Sequence, residues 1–227
     1  MSVLGRVAIM AEMHGRDLLR RRVALALLVA LPLSFYLASL GSGDRSITAG
    51  GVGMAFAVSG ATLFSVMSST EVDQRLVQGG YRPADLLLGR VAFLGPLGLA
   101  IGAGFGLLMT VVSDPPRPAM VYLGLALVAM QSIPVGLAVG VAVRRELEGT
   151  LLLIGIVGLQ MAVDSDTAVA RALPFWGPQR VIEAGLDASG GIGTYLLVTA
   201  LYAAGLFLVA RILVARHVGI VRHPTIA

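Results

Sequence analysis

Val91-Ala-Phe-Leu-Gly-Pro-Leu-Gly-Leu-Ala-Ile-Gly-Ala-Gly-Phe-Gly-Leu-Leu-Met-Thr-Val-Val112 carries no charged side chain between its flanking Arg90 and Asp114. A helix crossing the hydrocarbon core of a bilayer needs about 20 predominantly apolar residues, and this stretch supplies them. Outward from it, charges fence off five more apolar runs, at 23–40, 47–69, 119–143, 149–163 and 192–215. The run closed by Glu148 and Asp164 is short for a full crossing. It predicts local thinning, tilted neighbours or continuation into a re-entrant segment. Glycine and proline inside these runs are tolerated, because neighbouring helices re-satisfy the backbone.

Composition agrees with the runs. Hydrophobic residues make up 56% of the 227, charged ones 13%, and the mean hydropathy is +0.86. A soluble domain of this size leaves over half of its accessible area to apolar atoms already and has nowhere to hide more. The expected fold is therefore all-α and polytopic. It has six transmembrane helices (23–215), an N-terminal interfacial helix (1–22), a re-entrant segment before the last span (164–190) and a short tail (216–227).

Several chemistries are excluded. The chain has no cysteine, so disulfides and thiolate ligands are absent. Every one of its 17 basic residues is arginine, and a P-loop requires lysine. No nucleotide is expected on this chain through that motif, and lysine Schiff-base chemistry is excluded with it. His14, His217 and His223 are too scattered for a metal site.

The arginines carry orientation instead. Thirteen fall on one side: Arg6, Arg16, Arg20, Arg21, Arg22, Arg75, Arg82, Arg90, Arg144, Arg145, Arg211, Arg216 and Arg222. Only Arg45, Arg117, Arg171 and Arg180 fall on the other. By the positive-inside rule both termini are cytoplasmic. The same distribution argues against nucleic acid as a partner, since the charge is spread along one membrane face. Residues 23–40 are too long an apolar run, behind too long a flank, for a signal peptide, and read as a retained first span.

Before that span, Val3, Leu4, Val7, Ala11 and Leu18 recur at helical spacing, with Arg6, Arg16, Asp17 and Arg20 largely opposite. Glu12–Arg16 and Asp17–Arg21 are favourable i,i+4 pairs. This is the pattern of a helix lying on the membrane surface. Between the second and third runs, residues 71–90 continue a helix out of the membrane. Gly79-Gly80 ends it with a left-handed residue, and Pro83 with Asp85 begins the next helix. A helix–break–helix of this kind is what a membrane domain presents to a protein that pushes on it.

The expected spans contain no Asp, Glu or His, and Arg211 lies near enough to an end to snorkel. That argues against proton coupling and intramembrane proteolysis. Ser59, Thr62 and Ser65 share one face of the second span, Gln131 precedes Pro134 in the fourth, and Gln160 sits in the fifth. These five are the candidates for lining a pathway, although such side chains serve more often as packing glue of about 0.6 kcal/mol. The series Gly98, Gly102, Gly106 and the pair Gly136, Gly140 read as close helix packing. Before the last span, 168–173 and 178–186 can each form about two turns around a Pro-Phe-Trp-Gly-Pro break. Trp176, the single tryptophan, is expected there as an interfacial anchor.

Residues 76–90 resemble the coupling-helix region of type-2 ABC exporter permeases, whose usual pattern is Leu-Leu-x-Thr-Pro-Leu-Ser-x-x-Glu-Leu-Leu-Leu-Gly-Lys. Leu76, Val77, Asp85, Leu86, Leu87, Leu88, Gly89 and Arg90 fall on it, while Gly80 stands at the usual proline and Pro83 follows three residues later. The resemblance extends to the order of an interfacial helix, six spans, a short fifth span and the 173–186 segment. It implies a bacterial inner-membrane permease that exports an amphipathic or hydrophobic compound (drug, antibiotic or lipid). Two copies of a separate ATPase, with ATP and Mg, would drive it, and a second permease chain, identical or paralogous, would complete the pathway. The ATPase would couple through Arg75, Gln78, Gly79, Gly80, Tyr81, Arg82, Pro83 and Asp85, with Arg144–Glu148 next in line. The 173–186 segment would form re-entrant helices in the outer leaflet, with Phe175 and Trp176 as gate candidates. Two alternatives stay open: a haem-export or cytochrome-maturation permease, and a non-transporting scaffold or immunity subunit.

Overall fold

A computed structural model describes residues 3–43, 45–143, 145–187 and 191–219, with 217–219 described as backbone only. Arg144, Arg222 and His223, and the side chain of His217, lie outside the described residues. The described chain is all-helical. Its elements are α1 (Val3–Arg20), α2 (Arg22–Ala38), α3 (Arg45–Ser68), α4 (Thr70–Gln78), α5 (Pro83–Ser113), α6 (Pro118–Ala142), α7 (Glu146–Ala162), α8 (Ala168–Arg171), α9 (Trp176–Leu186) and α10 (Gly193–Gly219), with a 3₁₀ turn at Leu40–Ser42 after α2.

Four of these helices, α3, α5, α6 and α10, are long and apolar enough to cross a membrane. A fifth crossing is available if α1 and α2 count as one bent span, but the chain turns by 83° between them. That turn separates an amphipathic helix from an apolar one. α2 and α7 have 17 residues each. At 1.5 Å per residue that is about 25 Å, short of a core of about 30 Å. The structure thus supports four or five crossings by length.

The bundle has an inside and an outside. In α3 and α6, 72% of the apolar window is buried, against 33% in α5 and 17% in α10. Close approach explains the central pair. A Cβ on Gly136 of α6 would collide with the Ser59 carbonyl oxygen and the Thr62 side chain of α3, so only glycine allows this crossing. Gly98, Gly102 and Gly106 of α5 likewise face Ala129, Leu125 and Tyr122 of α6. The glycine rows are packing surfaces, as their spacing predicts.

The segment before the last span is a helix wedged into the bundle. α9 is buried at nine of its residues and packs on α6, α10 and α3. A Cβ on Gly124 of α6 would strike Ile182, and one on Gly177 would strike Thr199 of α10. The helix starts at Trp176, two residues before the expected start, with Pro178 in its first turn, where no intrahelical donor is needed. α8 is only four residues long, capped by the Thr167 hydroxyl, which accepts the Ala170 N–H at 3.2 Å.

Candidate functional site: a charged clamp at the α4 end

α1 lies across the start of α5 because the sequence leaves room for it. Gly89 has no side chain where Met10 sits, and a Cβ there would collide with it. Gly15 faces the Phe93 ring, which would stand 3.0 Å from an added Cβ. Two ion pairs then tie this crossing to its surroundings. The Arg6 Nε donates to Asp85 Oδ2 at 2.7 Å, joining α1 to α5. The same oxygen accepts the Arg82 backbone N–H at 3.2 Å, so Asp85 also caps α5.

Arg90, a turn and a half further on, is 1% exposed. Its guanidinium donates to Asp73 Oδ2 of α4 at 2.5 Å and to the Ser69 hydroxyl. Ser69 is the hinge residue between α3 and α4, and its hydroxyl donates to the Ser65 carbonyl at 2.7 Å. One arginine therefore straps α5 to the α3–α4 joint and to α4 itself. A buried ion pair of this kind is a poor source of net stability, because desolvation cancels most of the attraction. What it supplies is geometry: losing either partner leaves a buried charge unmatched.

His14 of α1 completes the cluster. It is buried, and its Nε2 has no hydrogen-bond partner. Burial, and then the charge of Arg90, lower its pKa to about 4, with Asp17 opposing, so the ring is neutral near pH 7. Asp73 moves the other way. Its burial raises the carboxyl pKa, while the Arg90 charge and the hydrogen bonds from Arg90 and Ser69 pull it back. Asp73 Oδ1 and Arg90 Nε are also buried without partners. The clamp is held together tightly but is incompletely satisfied.

Beyond the clamp, α4 ends as its sequence predicts. Gly80 has φ +94°, its N–H reaches the Val77 carbonyl at 3.0 Å, and the Tyr81 N–H reaches the Leu76 carbonyl at 3.0 Å. These two bonds form a Schellman turn that requires glycine. Arg75, Gln78, Gly79, Gly80 and Arg82 are exposed around it, and Tyr81 and Pro83 are half-buried. Asp85 is different. It is 2% exposed and committed to Arg6, so it cannot form part of an open docking face. In Arg144–Glu148, Arg144 lies outside the described residues, and Arg145 pairs with Glu148 at 3.3 Å on the surface.

The polar residues inside the bundle separate into two groups. Ser59 and Thr62 are sealed in the α3–α6 crossing, their hydroxyls donating to the carbonyls of Ala55 (2.6 Å) and Val58 (2.8 Å) on their own helix. They glue rather than line. Gln131 is buried with both amide atoms unpartnered. Ser65 and Gln160 do face cavities. Ser65 lines an apolar one beside α1 and α2, and Gln160 a polar one of about 690 Å³ at the opposite end of the bundle.

At that opposite end Gln160 Nε2 donates to Gln179 Oε1 at 2.5 Å, joining α7 to α9. Arg180 joins Glu183 and Asp166, each at 2.9 Å. Trp176 donates its indole N–H to the Ser165 carbonyl at 2.8 Å and meets Tyr195 edge-on with centroids 5.4 Å apart. Its ring is therefore packed within the protein, with its N–H committed to the chain. Phe175 beside it is buried as well.

Sequence reasoning missed the clamp as a unit. Arg6 and Arg90 read as orientation charges. The local signal was an acid and a base five positions apart on a helix start, Asp85 and Arg90, each facing a different partner. No known family model matches the chain, and no curated protein matches it significantly.

Proposed function

We propose that this chain is the membrane subunit of an ABC-type exporter, moving an amphipathic or hydrophobic compound out of the cytoplasm. ATP and Mg act on two copies of a separate ATPase, and a second permease chain, identical or paralogous, completes the pathway. In this reading α1 lies on the cytoplasmic surface of a bacterial inner membrane, and α2, α3, α5, α6, α7 and α10 are the six spans. The two short helices are accommodated by tilt and thinning, and both termini are cytoplasmic. α9 is the re-entrant helix of the outer half.

One observation carries the proposal. α4 and its Schellman turn form a short exposed lever that is not loosely tethered. Arg90 fixes it to α5 and the end of α3, and Arg6–Asp85 fixes α5 to α1. Force applied to α4 therefore reaches two long apolar helices and the surface helix together. A solvated loop needs no such anchoring. With no lysine for a P-loop, nucleotide in this reading is bound by a partner chain, and the apolar runs beyond the charged clamp carry no Asp, Glu or His for proton coupling.

Affinity purification of the tagged chain from its native membrane, followed by assay of ATP hydrolysis, tests this. An ATPase should co-purify, and Arg75→Glu with Arg82→Glu should lower its activity tenfold or more while membrane insertion is retained. If no ATPase co-purifies, or if the double variant hydrolyses ATP like the wild type, the coupling assignment is overturned.

A further inference from the structure

A cavity of about 430 Å³ opens between α1, α2, α3, α5 and α7. Its walls are hydrocarbon, from Leu28 and Leu31 of α2, Ala57 and Phe64 of α3 and Phe93 of α5. Its titratable residues, His14, Asp17 and Arg21, lie on the α1 side and form a rim, while Ser65 and Ser68 of α3 and Thr150 of α7 add hydroxyls to the walls. This is the bend of 83° at which the surface helix turns into α2. The space thus has mostly apolar walls and a charged mouth on the α1 side, and with α1 on the membrane surface, as in the function proposed above, the mouth lies at headgroup level.

The rim has the chemistry of a headgroup site. At the rim Arg21 pairs with Asp17 at 3.2 Å, while Arg20 and Arg22 flank it in the chain, exposed and outside the cavity lining. The bend as a whole carries a net positive charge beside the mouth, which suits a phosphate. His14 adds a second, independent sign. Its residue is 7% exposed, it lines the cavity, and its Nε2 lacks any partner. Buried polar atoms are normally satisfied, and a phosphate or glycerol oxygen at the mouth would satisfy this one. Size limits the tail. At about 430 Å³ it lies at the small end of ligand cavities, which run from about 300 to 1,000 Å³, and this favours one alkyl chain over two.

We infer that this cavity is a binding site for a single-chain, phosphate-bearing amphiphile drawn from the adjacent leaflet, with its chain between α2 and α3 and its phosphate at the α1–α2 bend. Such a molecule would be held whether or not the chain couples to an ATPase, as a fixed lipid cofactor or as an occupant awaiting movement. Gly60 controls the depth. It lines the cavity, and a Cβ there meets nothing within 4 Å. A larger side chain at this position enters the cavity without displacing α3.

The test uses the full chain in phosphatidylcholine proteoliposomes with a lysophosphatidylglycerol carrying a photoreactive group in its chain. Labelling should saturate and map to α2 and α3. Unlabelled lysophosphatidylglycerol should compete, whereas glycerol phosphate, which has no chain, should not. Gly60→Leu should cut the saturable labelling tenfold or more. His14→Phe, which keeps the ring shape and removes the hydrogen bond, should weaken it about fivefold, the effect of one hydrogen bond near 1 kcal/mol. Gly205→Leu on α10, also in open space, should change nothing. Should Gly60→Leu fail to insert, Ala61→Leu on the same wall makes the same comparison. Labelling that never saturates, spreads over all lipid-facing helices or survives both cavity-filling variants would overturn the site. Equal competition by an uncharged single-chain glycoside would overturn the phosphate.

Discussion

Replacing Arg90 by methionine removes the strap while keeping a long apolar stem. The guanidinium is buried (side chain 2% exposed) and Asp73 nearly so (13%), so the variant leaves a carboxylate with little water to replace its partner. Breaking a buried pair from one side costs about 3–5 kcal/mol, whereas replacing both partners by apolar residues is close to neutral. Because Asp73 keeps some exposure, we expect about 3 kcal/mol for Arg90→Met and at least half of it recovered in Arg90→Met/Asp73→Leu. Acidity supplies a second reading of the same variant. Asp73 is already raised by burial, and Arg90 is the main opposing cause. Without Arg90 its pKa rises further. An acid whose folded pKa lies above the unfolded one stabilises the fold at low pH and loses that contribution as pH rises. His14 acts in the same direction, since losing Arg90 removes one of the causes that lower it. The deficit of Arg90→Met should therefore be larger at pH 8 than at pH 5. Reversible unfolding in mixed micelles, followed by the fluorescence of the buried Trp176, measures both effects. A single variant within 0.5 kcal/mol of wild type, a double variant no better than the single, or a deficit that grows on acidification would refute this account of the clamp.

Three further outcomes are expected. Gly136→Ala should destabilise by about 2 kcal/mol in the same assay, because the clash with a backbone oxygen of α3, at the upper end of about 1–3 kcal/mol, outweighs the gain of about 1 kcal/mol in helix propensity. His14, lowered to about 4 from 6.5, contributes stability that is complete above pH 6.5 and disappears as pH falls towards 4; its ceiling is about 3 kcal/mol, and His14→Phe should flatten that part of the pH profile. With an impermeant thiol reagent on intact cells, Ser42→Cys should label and Gln78→Cys should label only after permeabilisation. The reverse pattern would invert the orientation read from the arginines.

The elements decided by local chemistry were legible from the sequence. Apolar runs fenced by charge correspond to the long helices, and the amphipathic spacing of the first residues corresponds to α1. The end of α4 at Gly79-Gly80 and the start of α5 at Pro83 follow from backbone preferences that act over four or five residues. Even there, length was only partly readable. Charge fences do not state where a helix stops, and α2 and α7 stop at 17 residues.

Partnership was decided elsewhere. Arg6 and Asp85 lie 79 positions apart and meet because Gly89 admits Met10 beneath them. Nothing local in either residue names the other, so a buried anchor read as a docking residue. Ser59 and Thr62 read as pathway candidates because their hydroxyls share a face, but Gly136 brings α6 onto that face and closes it. Trp176 read as a membrane anchor because a lone tryptophan prefers that depth, and its contacts with Ser165 and Tyr195 came only with the fold. Hydropathy and turn chemistry are sums over neighbours in the chain. A side chain's burial depends on which helix crosses it, and that is settled by small residues far away in sequence, where backbones come close enough to touch.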